Sequence, residues 1–179
     1  MCPDEFILRV LSGEKDFSRI ALPEGSNISY RDGFEEMNKF LLSEWYVSKP
    51  LNLEYSQFKS VGLRGVFFHG VQAKGIDFRG ADLSLADFSY SSLVGVDFRE
   101  ADISLVDFYM ANLCLSDFRN VLDVSNSRFE GADLRGMALD EETYLEMIRT
   151  NPDIREINID VLSNEFFYKN RHFGSNLIN

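Results

Sequence analysis

The chain has 179 residues, 45% hydrophobic and 13% aromatic, which is enough apolar material for one core of ordinary size and excludes an intrinsically disordered chain. Its 18 Lys and Arg against 29 Asp and Glu leave a formal net charge of −11, which repels nucleic-acid phosphates and anionic lipid and argues against direct nucleic-acid binding. Cys2 and Cys114 are too few for a disulfide framework, the opening Met1–Phe6 is no secretory signal, and no apolar stretch nears the ~20 residues that span a bilayer, so a cytoplasmic protein with no membrane role is expected.

In chain order, residues 4–12 place Phe6, Ile7, Val10 and Leu11 on one helical face before Gly13, predicting a cap helix. Phe17 and Leu22 then stand five apart, and residues 1–22 read as cap helix plus first pentads. Pro23 to Arg31 breaks that spacing. Asp32 can cap a helix over about 33–46 carrying Phe34, Met37, Phe40, Leu41 and Trp45 along one side, so residues 23–50 read as a helical excursion. From 51 to 140 the sequence divides into fives, running LNLEY SQFKS VGLRG VFFHG through ANLCL SDFRN, then SRFEG ADLRG MALDE after a short irregularity. Asp140, Glu141 and Glu142 open a last helix through Ile148, stopped by Asn151-Pro152. The tail then alternates Ile157, Ile159 and Val161 and ends in the aromatic group Phe166, Phe167, Tyr168 and Phe173. One domain overall is expected, 141–179 being its C-terminal helix and tail.

A period of five suits neither regular element. On an α-helix each step of five rotates the apolar position by roughly 140°, and on a continuous strand an odd step flips it to the other face. An apolar-polar-apolar triplet followed by two freer residues, often ending in Gly, instead describes a very short strand and a tight turn. Central residues of successive pentads alternate Phe with aliphatic. Four pentads per coil would therefore stack Phe58, Phe78, Phe98 and Phe118 in one column and Phe68, Phe88, Phe108 and Phe129 in the opposite one. Phe118 to Phe129 is one residue too many, so Asn120 to Asn126 must bulge outward while the register survives.

This pattern resembles the pentapeptide-repeat family: a small residue, Asp or Asn, Leu or Phe, then two variable positions. The resemblance implies an all-β solenoid, a right-handed quadrilateral β-helix of four pentads per coil with short helical caps, whose first and central residues point inward. It also implies a non-enzymatic protein. Some family members confer quinolone resistance by resembling DNA and binding bacterial type II topoisomerases, which makes such an enzyme the candidate protein partner. The rival implication is a structural or regulatory scaffold with a different partner.

Catalytic chemistry is sought and not found. Gly65 to Gly70 and Gly75 to Gly80 have P-loop spacing, but Val71 and Ala81 stand where the phosphate lysine belongs. His69 and His172 lack a second histidine at ligand spacing, so no metal, cofactor or catalytic residue is expected. Columns on the outer walls are more informative. Asp77, Asp97 and Asp117 alternate with Arg79, Arg99 and Arg119, a nearly neutral face, whereas Asp82 with Asp102 and Asp87 with Asp107 have no Arg beside them. These four form the candidate acidic interaction face, although a short acceptor at this position also serves a turn. The corners next to them end in Leu85, Tyr90, Leu105, Met110 and Leu115, with Tyr109 nearby, forming a candidate apolar interaction strip. Self-coverage by the 33–46 helix is expected to hide it, and the tail could cover it or pair with a second copy as a homodimer.

Overall fold

A computed structural model of the chain describes residues 1–43, 48–150 and 154. The repeat from Leu51 onward turns through one coil every four pentads. Isolated parallel bridges join residues 20 apart, as in Asp77 to Asp97 and Asp87 to Asp107. At each rung the central residue donates forward to the next coil, Phe58 N–H to the Asp77 carbonyl at 2.8 Å. The residue before it in the pentad donates backward, Asp77 N–H to the Ser56 carbonyl at 3.0 Å.

Each corner is a tight turn closed by a bond such as Ala81 N–H to the Phe78 carbonyl, 3.0 Å. The last residue of each pentad supplies the positive φ that this turn needs. Gly fills that place at Gly65, Gly70, Gly75 and Gly80, so the glycines with P-loop spacing are corner residues. The walls between corners are single bridges, too short to count as extended strands.

First and central residues point inward. All eight Phe of the two columns are buried, with ring centroids 5.8 Å apart for Phe78 and Phe98 and 5.9 Å for Phe88 and Phe108. Rings also touch across the coil, Phe98 to Phe108 at 5.8 Å. Burying each ring contributes roughly 1.5–3 kcal/mol, which makes the Phe columns the main opposition to chain entropy. Where an inward position holds Ser, its hydroxyl bonds backbone within the core, as Ser56 does to the Phe17 carbonyl at 2.8 Å and Ser91 to the Phe68 carbonyl at 2.9 Å.

Below the irregular pentad the bridges join residues 21 apart, Asp102 to Asp123 and Asp107 to Arg128. One extra residue is absorbed at Val121-Leu122, where Leu122 N–H bonds the Ala101 carbonyl at 2.9 Å. Val124 is buried and continues the aliphatic column of Leu63, Leu83 and Ile103.

Helix α1 (Pro3–Leu11) closes the first coil, with Phe6 against Phe17 at 5.0 Å and Phe58 at 5.8 Å. The ladder does not stop at Pro23: Asn27 bridges Gly62, and Ile28 N–H donates to the Gly62 carbonyl at 2.8 Å. Departure from the ladder therefore comes after Ile28, five residues later than the broken spacing suggests, because another single-residue insertion is absorbed near Gly25. Helix α2 (Phe34–Leu41) then stands where the fourth wall of the first coil would be. Its Asn38 side chain donates to the Gly65 carbonyl at 2.9 Å and accepts from Phe67 N–H at 3.1 Å. The amide oxygen replaces the carbonyl that a preceding pentad would have offered to Phe67.

Helix α3 (Glu141–Thr150) closes the other end, with Met147 and Thr143 buried and the Asp140 carboxylate capping Thr143 N–H at 2.8 Å. Trp45 and the tail residues from Ile157 to Phe173 lie outside the described residues. Among the described residues no helix is long and apolar enough to cross a membrane.

Candidate interaction walls

Position two of each pentad lies on a wall, and from Asn52 onward the carboxylate or amide of an Asp or Asn there caps the backbone two residues on. Asp82 Oδ1 accepts from Ser84 N–H at 3.1 Å and from the Ser84 hydroxyl at 2.6 Å. Asp87 does the same with Ser89 at 2.8 and 2.5 Å, and Asp102 with Ser104 at 3.0 and 2.7 Å. Asp107 caps Tyr109 N–H at 2.8 Å. Asn serves equally: Asn52 caps Glu54 N–H at 3.0 Å and Asn112 caps Cys114 N–H at 3.1 Å. The bond therefore needs a short acceptor and not a charge.

On one wall the charges are zipped. Arg79 reaches Asp77 at 2.6 Å and Asp97 at 3.5 Å, Arg99 reaches Asp97 at 2.6 Å and Asp117 at 3.6 Å, and Arg119 closes the series on Asp117 at 2.6 Å. Burial pushes the Asp77 and Asp117 carboxyls up, but the guanidinium and backbone donors of Arg79 and Arg119 outweigh it and hold both below the usual carboxylate range.

Asp82, Asp87 and Asp102 have no Lys or Arg within ion-pair distance among the described residues. Asp107 differs, because Arg128 on the coil below lies 3.4 Å from it. The Asp87–Asp107 column is thus neutralised at its lower end, where equal charging along its length was expected. The register that stacks Phe129 on Phe108 already puts Arg128 on the wall of Asp107, but a cation was sought only two residues after each Asp, and Arg128 reaches its carboxylate from the next coil.

An aromatic ladder runs along the same wall. His69 Nδ1 lies 2.9 Å from the Ser89 hydroxyl, and its ring is 5.3 Å from Tyr90. Tyr90 meets Tyr109 edge-on at 5.4 Å, and the Arg128 guanidinium sits 4.0 Å over the Tyr109 ring.

The apolar strip is not covered by α2. That helix packs on α1 and the first coil, with Met37 and Leu41 buried there, because the missing wall lies at the N-terminal end and not beside the strip. Among the described residues Leu85, Tyr90, Leu105, Met110 and Leu115 are exposed, from 46% for Leu85 to 65% for Leu115. All five occupy the corner position with φ between 56° and 63°, a region that costs an L-residue roughly 1–2 kcal/mol. Leu85 and Leu105 edge one side of the Asp87–Asp107 wall, and Tyr90 and Met110 edge the other. Leu115 stands one corner further on, where it lies over Gly136: a Cβ there would be 2.8 Å from its Cδ2.

Among the described residues no three His, Cys, Asp or Glu gather as a metal site. Burial and the Asp133 carboxylate push the Cys114 thiol up, the reverse of what a nucleophile requires. The cleft between the bulge and α3, about 440 Å³, is lined by Leu122, Asp123, Asp140, Leu145 and Glu146 among others.

The pentapeptide-repeat family model matches residues 81–120 with eight copies of its repeat. No curated protein matches the chain in sequence. Among solved structures, a pentapeptide repeat protein, Rfr23, from the cyanobacterium Cyanothece 51142 is 16% identical and matches 77% of this chain and 95% of its own, with a TM-score of 0.55. A pentapeptide repeat protein from the Arabidopsis thaliana thylakoid lumen is 23% identical over 73% of this chain and 76% of its own, at 0.44. QnrB1, a plasmid-mediated fluoroquinolone resistance protein, is 19% identical over 76% of this chain and 83% of its own, at 0.27. At such identities the likeness is one of fold, and Rfr23 carries it. The five-residue period and the 20-residue bridges continue on both sides of residues 81–120, so the pentapeptide repeats that the family model matches extend beyond that span.

Proposed function

We propose that this protein is a non-enzymatic interaction scaffold, a right-handed quadrilateral β-helix that docks a protein partner on the wall of Asp87 and Asp107 and its apolar edges. One observation carries the reading: Leu85, Tyr90, Leu105 and Met110 are large, exposed and held at positive φ. Neighbouring coils place Gly65, Gly70 and Gly131 at the same two corners. Stability favours glycine there, so exposed Leu, Tyr and Met answer another requirement, and surface apolar side chains grouped around a polar centre suit protein contact.

The candidate partner is a bacterial type II topoisomerase, with the Asp82–Asp102 and Asp87–Asp107 columns standing in for DNA phosphates. Coils ~4.8 Å apart carrying two Asp each give one charge per roughly 2.4 Å before Arg128 offsets Asp107, against ~1.7 Å on duplex DNA. A gyrase supercoiling assay tests this. Asp82, Asp87, Asp102 and Asp107 changed together to Asn should abolish inhibition, while replacing Arg79 and Arg99 should not. Wild-type protein that leaves supercoiling untouched at micromolar concentration would end the topoisomerase reading. A regulatory module with a different protein partner is favoured by the apolar corners themselves, which a mimic of a phosphate backbone does not need.

A further inference from the structure

The wall between the Leu85–Leu105 and Tyr90–Met110 corners has an acidic centre, apolar edges and no cover among the described residues. An occupant that matches it needs cationic groups flanked by large apolar ones. In a chain of net charge −11, the segment Phe166 to Phe173, FFYKNRHF, has that character and holds Lys169 and Arg171 between Phe167 and Phe173 with no Asp or Glu. It lies outside the described residues, C-terminal to the buried Ile154. The residues 155–165 that separate the two can span roughly 35 Å when extended. That exceeds the ~10 Å of two coils separating the Phe129 level from the Phe88 level, with length left to round a corner.

We propose that this segment docks on the Asp87–Asp107 wall of its own chain, its Phe side chains on the apolar corners and Lys169 and Arg171 facing the two carboxylates. The segment then competes with any outside partner, so the proposal rests on that wall being an interaction surface. Arg128 leaves Asp87 as the less neutralised of the two carboxylates, and the attraction weakens as salt screens it.

The test uses the full chain, without a partner. Equal amounts of unlabelled and uniformly nitrogen-15-labelled protein are mixed and treated with a carbodiimide, which joins amine to carboxylate, then digested and weighed. Lys169 should couple to Asp87 or Asp107, with both halves of each cross-linked peptide carrying the same label. Peptides mixing the two labels would place the segment on a second copy and overturn the proposal, as would no coupling at either carboxylate. In parallel, trypsin should cleave after Lys169 and Arg171 at least tenfold faster in Leu85→Gly/Leu105→Gly than in the native chain. Gly65 already occupies that corner column at positive φ, so the double variant keeps its fold. Equal cleavage rates would also overturn the proposal. Neither readout involves a topoisomerase, so its failure leaves the supercoiling result to stand or fall alone.

Discussion

Phe98 lies between Phe78 at 5.8 Å and Phe118 at 4.7 Å and is fully buried. Phe98→Ala should therefore cost about 3–5 kcal/mol, the range for an aromatic ring removed from a packed core. Asp97 is worth less. It caps Arg99 N–H at 3.1 Å and takes two guanidinium bonds at 2.9 and 2.6 Å from a partly exposed Arg99, so Asp97→Ala should cost about 1–2 kcal/mol. Chemical denaturation compares the two, and equal losses would contradict the inward placement of Phe98. Leu105→Gly runs the other way. Releasing an L-residue from φ 59° offsets the added freedom of the unfolded chain, so stability should stay unchanged or rise by up to about 1 kcal/mol. A clear loss in the same experiment would mean that the corner leucines serve the fold.

At the scale of elements, the first coil is completed by a helix, and one side chain makes the join. Asn38→Ala removes the acceptor for Phe67 N–H and the donor for the Gly65 carbonyl, for an expected loss of about 1–3 kcal/mol. Hydrogen exchange should locate the effect, with the Phe67 amide exchanging faster and the Phe98 region unchanged. The Asp–Arg wall gives a pH dependence. Asp77 and Asp117 have folded values held below their ordinary ones, so the folded state binds fewer protons in that interval. Their contribution is fully present above the ordinary carboxylate value near 4 and is lost as pH falls through the lowered folded values. Denaturation midpoints should be flat between about pH 7 and 5 and fall below about 4. In a variant carrying Arg79→Gln, Arg99→Gln and Arg119→Gln that acid slope should be shallower.

For the whole molecule, wall charge separates from wall structure. Asn52 and Asn112 already make the cap that Asp makes elsewhere, so replacing Asp82, Asp87, Asp102 and Asp107 by Asn should shift stability by less than about 1 kcal/mol per site. Circular dichroism and denaturation of the quadruple variant check this. Unfolding would mean that the carboxylates hold the coils together, and a lost interaction in that variant could not then be assigned to charge.

The period of five, the inward Phe columns and the count of four pentads per coil were legible in the residues alone. They follow from local rules, a turn every five residues and an apolar side chain at its centre, which repeat until they admit one geometry. The acidic columns and apolar corners were legible as positions for the same reason. Three matters required the tertiary structure. The contact of Arg128 with Asp107 and its stacking on Tyr109 join side chains of successive coils, and although the register that stacks Phe129 on Phe108 puts them on one wall, the side-chain conformations that bring them together come only with the packed coils. The place of α2 is set by which wall of the first coil is missing, a long-range relation that its own amphipathic pattern does not contain, so the expected cover of the strip did not follow. The strain at Leu85, Tyr90, Leu105, Met110 and Leu115 arises because the turn dictates φ regardless of the side chain. Sequence records only that these corners are not glycine; the coil decides that large side chains are held there, exposed, around an acidic wall.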